Sequence, residues 1–567
     1  MTPIRRSLLP RPALAGRVLL IALMTAAGLA ALAPALPAAQ LDLRPTSAAN
    51  LPEPDLEIQE DGLHLSLDQA IAIALKRNLG LVIERYNWIQ SHHGVLQSLG
   101  IYDLSLFGGG SYRETTQPTV EVTEGVPIIQ STVESYQLGL SQLVPSGGVA
   151  ELTTSASTIE TNSENVFVNP QYRASTDLTF TQPLLRNFGL QATERSILVS
   201  RARATESREL VEQRLSATIE DVERAYWSLV EAQNQLVVAQ EALSLAKTLH
   251  EQNQIRVEVG TLAPLELVQS EAGIAGREEE IIRAEGAIGD AADRLRQLLN
   301  LDQGPLWDMA IVPTTDPASD RISVDLGEAI QTALDERPEI AAELASLDAL
   351  KIDKEYFQAQ VRPVLDLVLN YNLAGLAGDT APVVDPRTGE TIPGMDSSLG
   401  DAFQQIYNAD FDEWRIQLQF SYALQNRERR EQKIIADLAV EQGVARLEEL
   451  RTQIITEVRT AARAVETAAK QIESARVSRE LEEKNLDAER KRYENGMSSS
   501  FRVLQIQEDL TQARSREVSA ITTYRTALAG YYRSIGLLLE QKGVEIDSDS
   551  IPRGSRFGFS SWRKSKE

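Results

Sequence analysis

The chain has 567 residues, with 56 Lys+Arg against 81 Asp+Glu and a formal net charge of -25. That acidity disfavours nucleic acid and anionic lipid surfaces as partners and says little about fold. There is no cysteine and there are four histidines, which excludes disulfides, thiolate metal sites, a cysteine nucleophile and a lipid-modified N-terminal cysteine.

In chain order, Arg5, Arg6, Arg11 and Arg17 precede the apolar run Val18–Ala33, and Ala33-Pro34-Ala35 fits a cleavage site, so residues 1–39 read as a signal peptide. No run of 18 apolar residues follows it; a membrane crossing would have to use β-strands. Residues 40–64 are Pro- and acid-rich and read as extended. Ser66-Leu67-Asp68-Gln69 fits a capping box for a helix from Leu67 to Leu99, with Ala70, Ile71, Ala74 and Leu75 on one face. His92 and His93 point to different sides of that helix, so one metal does not easily take both.

The period then changes from 3.6 to 2. Strands are predicted at about 103–113 and 176–184. Between them lies an inserted hairpin, 134–158, around the turn Pro145-Ser146-Gly147-Gly148, with Asn162–Gln171 as a polar loop. It reads either as a lid above a membrane or as a lengthening of the sheet in the wall, and its position between two principal strands favours the extracellular placement. A helix from Ala192 to Val259 follows, ~100 Å long at 1.5 Å per residue. Ile219, Val222, Tyr226, Leu229, Ala232 and Leu236 form its apolar seam. Gly260 breaks it, and a second helix runs from Leu262 to Asn300, with Pro264 marking the restart.

The chain then repeats itself. Val458–Ala527 aligns without a gap on Val222–Ala291 at an offset of 236, and Gly496 falls on Gly260. Leu326-Gly327-Glu328-Ala329-Ile330 echoes Leu67-Asp68-Gln69-Ala70-Ile71, behind a second capping residue, Asp325. The second copy predicts a helix Leu326–Gln360 bent at Pro338, strands at about 364–372 and 414–422, a loop Ala374–Gln405, and helices Arg427–Asn495 and Ser499–Gly536. Two structural repeats, 65–302 and 325–539, are thus joined by a linker, 303–324, and followed by a tail, 540–567.

The fold class is α+β, with four principal strands per chain. Four strands cannot close a barrel around water, but a cyclic oligomer can; a trimer supplies twelve. No phosphate loop, serine elbow or zinc helix is present, and neither catalysis nor a cofactor or metal is expected. A periplasmic coiled-coil scaffold without a channel is the alternative; it explains the long helices but not the alternating segments at matching points.

The two Leu-x-x-Ala-Ile helix starts, Thr181-Gln182-Pro183-Leu184-Leu185-Arg186, Val257-x-x-Gly260-Thr261 and Arg492-Tyr493-x-x-Gly496 resemble the outer-membrane efflux proteins typified by TolC. The resemblance extends over Leu65–Leu539. It implies a homotrimer with a twelve-stranded barrel in outer-membrane lipid, continued by a long periplasmic α-helical barrel of antiparallel helices. It also implies docking onto a periplasmic adaptor (a membrane fusion protein) and an inner-membrane pump of the RND or ABC type. Drug or metal efflux and polypeptide export both remain open. By the same resemblance, Val259-Gly260-Thr261 and Asn495-Gly496-Met497 match the adaptor-contacting turns. The family's entrance aspartates fall on Arg502 and Gln505, with Glu266 and Gln269 as their equivalents in the first copy. An Arg502 pairing with Glu266, or with another carboxylate across a helical interface, would help hold the entrance shut.

Overall fold

The structure is a computed structural model that describes residues 57–59, 62–118, 126–163, 166–301, 305–317, 321–380, 382–384, 387–394 and 396–544. The expected signal segment 1–39 and the tail beyond 544 lie outside the described residues. In chain order the main elements are helices α1 (Leu67–Arg77) and α2 (Leu79–Leu99) and strands β1 (Ser105–Pro118), β2 (Ile128–Leu143), β3 (Val149–Thr161) and β4 (Val168–Pro183). Helices α3 (Arg195–Glu258), α4 (Leu265–Leu299), α5 (Leu326–Glu336) and α6 (Pro338–Gln360) follow. Next come strand β5 (Val364–Thr380), helix α7 (Leu399–Asn408), strand β6 (Asp412–Ser421) and helices α8 (Arg427–Glu494) and α9 (Ser500–Ser534).

The chain divides into two compact units, and the one built from His93–Arg201 and Asp348–Glu441 holds all six of these strands. They form one antiparallel sheet in the order β6-β5-β4-β3-β2-β1. The inserted hairpin therefore lies within the sheet. Its two strands pair along their length with β1 (Ser105↔Ser141 to Pro118↔Ile128) and β4 (Val149↔Thr181 to Ile159↔Gln171). Its turn is anchored where β4 ends: Ser146 Oγ donates to Gln182 Oε1 at 2.6 Å, and the Gly189 amide donates to the Ser146 carbonyl at 3.0 Å. The count is six strands, not four plus an appendage. Most also outrun their predicted ends; β4 begins inside the segment read as a polar loop, and β5 extends to Thr380.

The segment expected to be a loop, Ala374–Gln405, also contains most of α7. Ser398 caps it in a capping box with Asp401. Leu399, Ala402, Phe403 and Ile406 recur at i, i+3, i+4 and i+7, and Ala402 closes a small buried cluster with Ala174 and Ala377. The approach is close enough to require Gly375, because a Cβ there would sit 1.9 Å from the Ala402 carbonyl oxygen.

The other unit, the described residues of 57–92, 202–347 and 442–544, is mainly helical. Its largest core joins α1 (Ile71, Leu75) to α3, where Ile219, Val222, Tyr226 and Leu229 are wholly buried, and to Leu295 and Leu299 of α4. A three-stranded sheet borders this core: Gly62–Leu65 pairs antiparallel with Glu57–Gln59 and parallel with Ile311–Pro313. The expected linker 303–324 is thus structured in part.

Each expected first helix is two helices. In the second copy Pro338 bars the preceding residue from the α region, and Arg337 is extended. In the first copy no proline is present. Asn78 makes the corner instead: its Oδ1 accepts the Leu81 amide at 3.2 Å and its Nδ2 donates to the Leu298 carbonyl at 2.9 Å. Arg337 matches it with a buried guanidinium that donates to Glu339 at 2.7 Å and Glu457 at 2.5 Å.

Candidate functional site

Two features of the chain resemble working surfaces. The first is the pair of turns after α3 and α8. Gly260 and Gly496 have φ of +76° and +70°. In the first turn the Gly260 amide donates to the Val257 carbonyl at 3.0 Å and the Thr261 amide to the Arg256 carbonyl at 2.8 Å. In the second, Gly496 donates to Tyr493 at 3.0 Å and Met497 to Arg492 at 2.9 Å. This is the same Schellman cap twice, and it satisfies helix-end carbonyls that would otherwise lack partners.

The turns are tied together by a contact that local sequence reading missed. Arg256 donates to the Tyr493 carbonyl at 3.0 Å and lies over the Tyr493 ring at 4.5 Å. The Tyr493 hydroxyl in turn donates to Asn253 Oδ1. Burial pushes the Tyr493 phenol up, against the opposing pull of Arg256. Beneath, Leu249, Leu486, Tyr493, Val503, Ile506 and Leu510 form a separate core, and His250 Nδ1 lies 2.8 Å from Ser270 Oγ. Outside it the surface is unusually apolar. Val259 is 68% and Met497 71% exposed, and Ile255, Leu265, Val268 and Phe501 are also well over half exposed. Asn495, by contrast, bonds back to the Lys491 carbonyl at 2.7 Å.

The four expected entrance residues lie just past these turns. Glu266 accepts from the Ser500 hydroxyl, whereas the Arg502 guanidinium donates to Gln505 Oε1 at 2.8 Å. The expected Arg502–Glu266 pair is therefore not made within the chain. Residues two apart on a helix point about 200° apart, so the face that brings Ser500 to Glu266 carries Arg502 away. Gln269 Oε1 is buried without a partner among the described residues.

The second surface is the sheet. Across its six strands Trp414, Tyr371, Leu178, Leu152, Leu140 and Leu106 stand in one row. One residue along, Arg415, Asn370, Thr179, Glu151, Ser141 and Ser105 form a row on the opposite face. The polar face is bonded across strands, with Asn372 Nδ2 donating to Asp177 at 2.6 Å and Asn370 Nδ2 to Thr179 at 2.9 Å. The apolar face is open: on β6, Trp414, Ile416, Leu418 and Phe420 are all more than 60% exposed. Water favours the polar face and lipid the apolar one.

A sheet wet on one side and greasy on the other, carried by a chain with duplicated helical hairpins, defines a membrane channel subunit rather than an enzyme. The chain belongs to the outer membrane efflux protein family, whose model matches residues 130–301 and 329–537, more than half its length. The fold is shared with solved outer-membrane channels. CusC is 16% identical with a TM-score of 0.61, over 86% of this chain and 99% of that one. OprN is 16% identical at 0.60, over 87% and 97%. CmeC of Campylobacter jejuni is 15% identical at 0.59, over 85% and 90%. No curated protein matches in sequence. The protein is accordingly an outer-membrane channel that extends into the periplasm, of the kind used by tripartite efflux and secretion systems.

Proposed function

We propose that three copies of the chain assemble into a passive duct through the outer membrane, driven by an inner-membrane pump of the RND or ABC type through a periplasmic adaptor. The two repeats, 65–302 and 325–539, each supply part of the sheet and one helical hairpin. Val259-Gly260-Thr261 and Asn495-Gly496-Met497 meet the adaptor. The observation that carries this reading is the exposed apolar face of β6, Trp414, Ile416, Leu418 and Phe420, on a sheet whose other face is charged and polar, an arrangement that a lipid surround makes stable. The adaptor assignment is supported by the exposed Val259 and Met497 beside identical glycine caps.

The substitutions Val259→Asp and Met497→Asp test it. In cells expressing the cognate adaptor and pump, they should abolish export and adaptor co-purification while leaving a membrane-extracted trimer. Normal export in both variants would remove the adaptor assignment, and a water-soluble monomer would remove the channel. Glu266, Gln269, Arg502 and Gln505 line the entrance in this reading. Arg502→Ala should raise closed-state leak in single-channel recordings; an unchanged leak rejects a gating role.

A further inference from the structure

We propose that the wall of the assembled channel has eighteen strands, six from each of three subunits, with β1 of one copy paired antiparallel to β6 of the next. The inference rests on the trimeric reading above and departs from it in the strand count.

The inserted hairpin has the properties of a wall. The apolar row and the polar row both run unbroken through β2 and β3. A lid standing in water would have no reason to keep Leu140 and Leu152 on the same face as Trp414 and Tyr371, or Ser141 and Glu151 on the same face as Arg415. The aromatic residues give a second, geometric indication. Tyr112 on β1 and Trp414 on β6 both lie on the apolar face. The partner of Trp414, traced strand by strand at right angles, is Leu106, six residues before Tyr112 and five strand steps away. Six residues at about 3.4 Å against five steps at about 4.8 Å is a slope of roughly 40°. Strands in outer-membrane barrels tilt by that amount, and their aromatics then form level girdles. The whole six-strand sheet, hairpin included, is thus inclined as one piece of barrel.

The edges identify the partner as a second copy. Among the described residues, β1 and β6 have neighbours on one side only. All six strands alternate in direction, so the two open edges run opposite ways and an antiparallel seam closes them. The chain cannot seal its own edges. Eight strands already leave room only for packed side chains, and six would crush Arg415, Asp177 and Glu151 into a dry interior. Left open, β6 is a ten-residue edge, every residue of it exposed, with four large apolar side chains: a ready aggregation site. At this tilt eighteen strands give a barrel about 36 Å across between backbones, against about 24 Å for twelve.

The cysteine-free sequence allows single labels without background. Spin labels at Leu140→Cys and Leu152→Cys, at Ser141→Cys and Thr153→Cys, and at the β6 controls Leu418→Cys and Gln417→Cys would be read in trimers in liposomes. Lipid-soluble oxygen and a water-soluble nickel chelate serve as relaxing agents. The expected result is the same alternation in the hairpin as in β6: oxygen at 140, 152 and 418, nickel at 141, 153 and 417. Nickel access at all four hairpin positions, with β6 still alternating in a trimer, would place the hairpin in water and overturn the eighteen-strand wall. Loss of alternation in β6 together with loss of the trimer would instead overturn the channel assembly itself. A second reading comes from pairing a cysteine at Ile416 with cysteines scanned along Ser105–Tyr112. Oxidation should give covalent trimers, and a separate cysteine pair at Leu106 and Leu178, three strand steps apart in the six-strand sheet, should not crosslink; a Leu106–Leu178 crosslink within one chain would contradict the proposal.

Discussion

Gly260 and Gly496 lie 236 residues apart and end their helices with the same pair of backbone bonds, whereas the strands of the six-stranded sheet that precede them number four in the first copy and two in the second. The helical hairpins are held by local requirements that leave little freedom: a left-handed residue at one position and two carbonyls to satisfy. Strand number is not held in that way. A hairpin slipped between antiparallel neighbours starts and finishes at the same end of the sheet, so everything after it keeps its direction and its faces. One half of the repeat is thus fixed by the chemistry of single residues and the other by a pattern that tolerates extension.

That contrast can be broken first in the sheet, where the largest effects are expected. Leu138→Arg in the inserted hairpin and Leu418→Arg in β6 should each destabilise the membrane-embedded protein by about 2–4 kcal/mol, while Gln137→Arg and Gln417→Arg on the other face should cost far less. Urea unfolding in liposomes measures both. If only the β6 substitution is costly, the extra strands are not equivalent to the original ones.

The corners come next. Arg337→Ala leaves Glu339 and Glu457 without their shared cation and should cost about 3 kcal/mol, the low end for a buried pair because Glu457 is 41% exposed. Asn78→Ala removes neutral hydrogen bonds only and should cost about 1–2 kcal/mol. Denaturant midpoints of the two variants would rank them; the reverse order would mean that the copies brace their corners in some other way.

At the turns the copies should be indistinguishable. A Cβ on Gly260 or Gly496 meets nothing within 4 Å, so alanine brings backbone strain alone, about 1 kcal/mol in each. The double variant should show the sum of the two. Unequal shifts in melting temperature would reveal a contact on one turn only.

The smallest effect is on pH. Burial pushes the Glu457 carboxyl up, but hydrogen bonds from Arg337 and Gln453 outweigh it and hold the group below its usual range. A depressed carboxyl contributes stability above its unfolded value and loses it as pH falls through the folded one. Glu223 behaves oppositely: burial outweighs Lys542 and raises it, so its contribution falls as pH rises. Arg337→Ala should therefore flatten the loss of stability below about pH 4.5. An unchanged acid limb in midpoints taken from neutral to acid would show that Glu457 gains nothing from the pair.

The sequence revealed the features that rest on one residue or one short period. Gly260, Gly496 and the alternation of Trp414–Phe420 were all legible, and the first two placed the turns within a residue. The rest depended on distant partners or on weak local signals. Thr153, Thr154 and Ser155 are polar on both parities, so β3 reads as an uncertain strand until its register with β2 and β4 is known. Helix α7 was hidden by the glycines and prolines around it, although Ser398 and Asp401 spell a capping box. The Asn78 corner has no proline to announce it. Arg256 and Tyr493 are 237 residues apart, and nothing near either predicts the other. Arg502 and Glu266 hold equivalent sites, but equivalence in a repeat does not bring two side chains face to face.

The turn at Ser146, fastened to Gln182 beside the end of β4, has a consequence for how such a pore can be resized. A subunit that gained one stave would present seam edges running the same way, and its chain would emerge on the wrong side of the membrane. Only a pair of staves returns the polypeptide to where it started. In the proposed trimer each pair becomes six, so bore diameter in that design is quantised, and evolution can widen the cask in large steps but cannot fine-tune it.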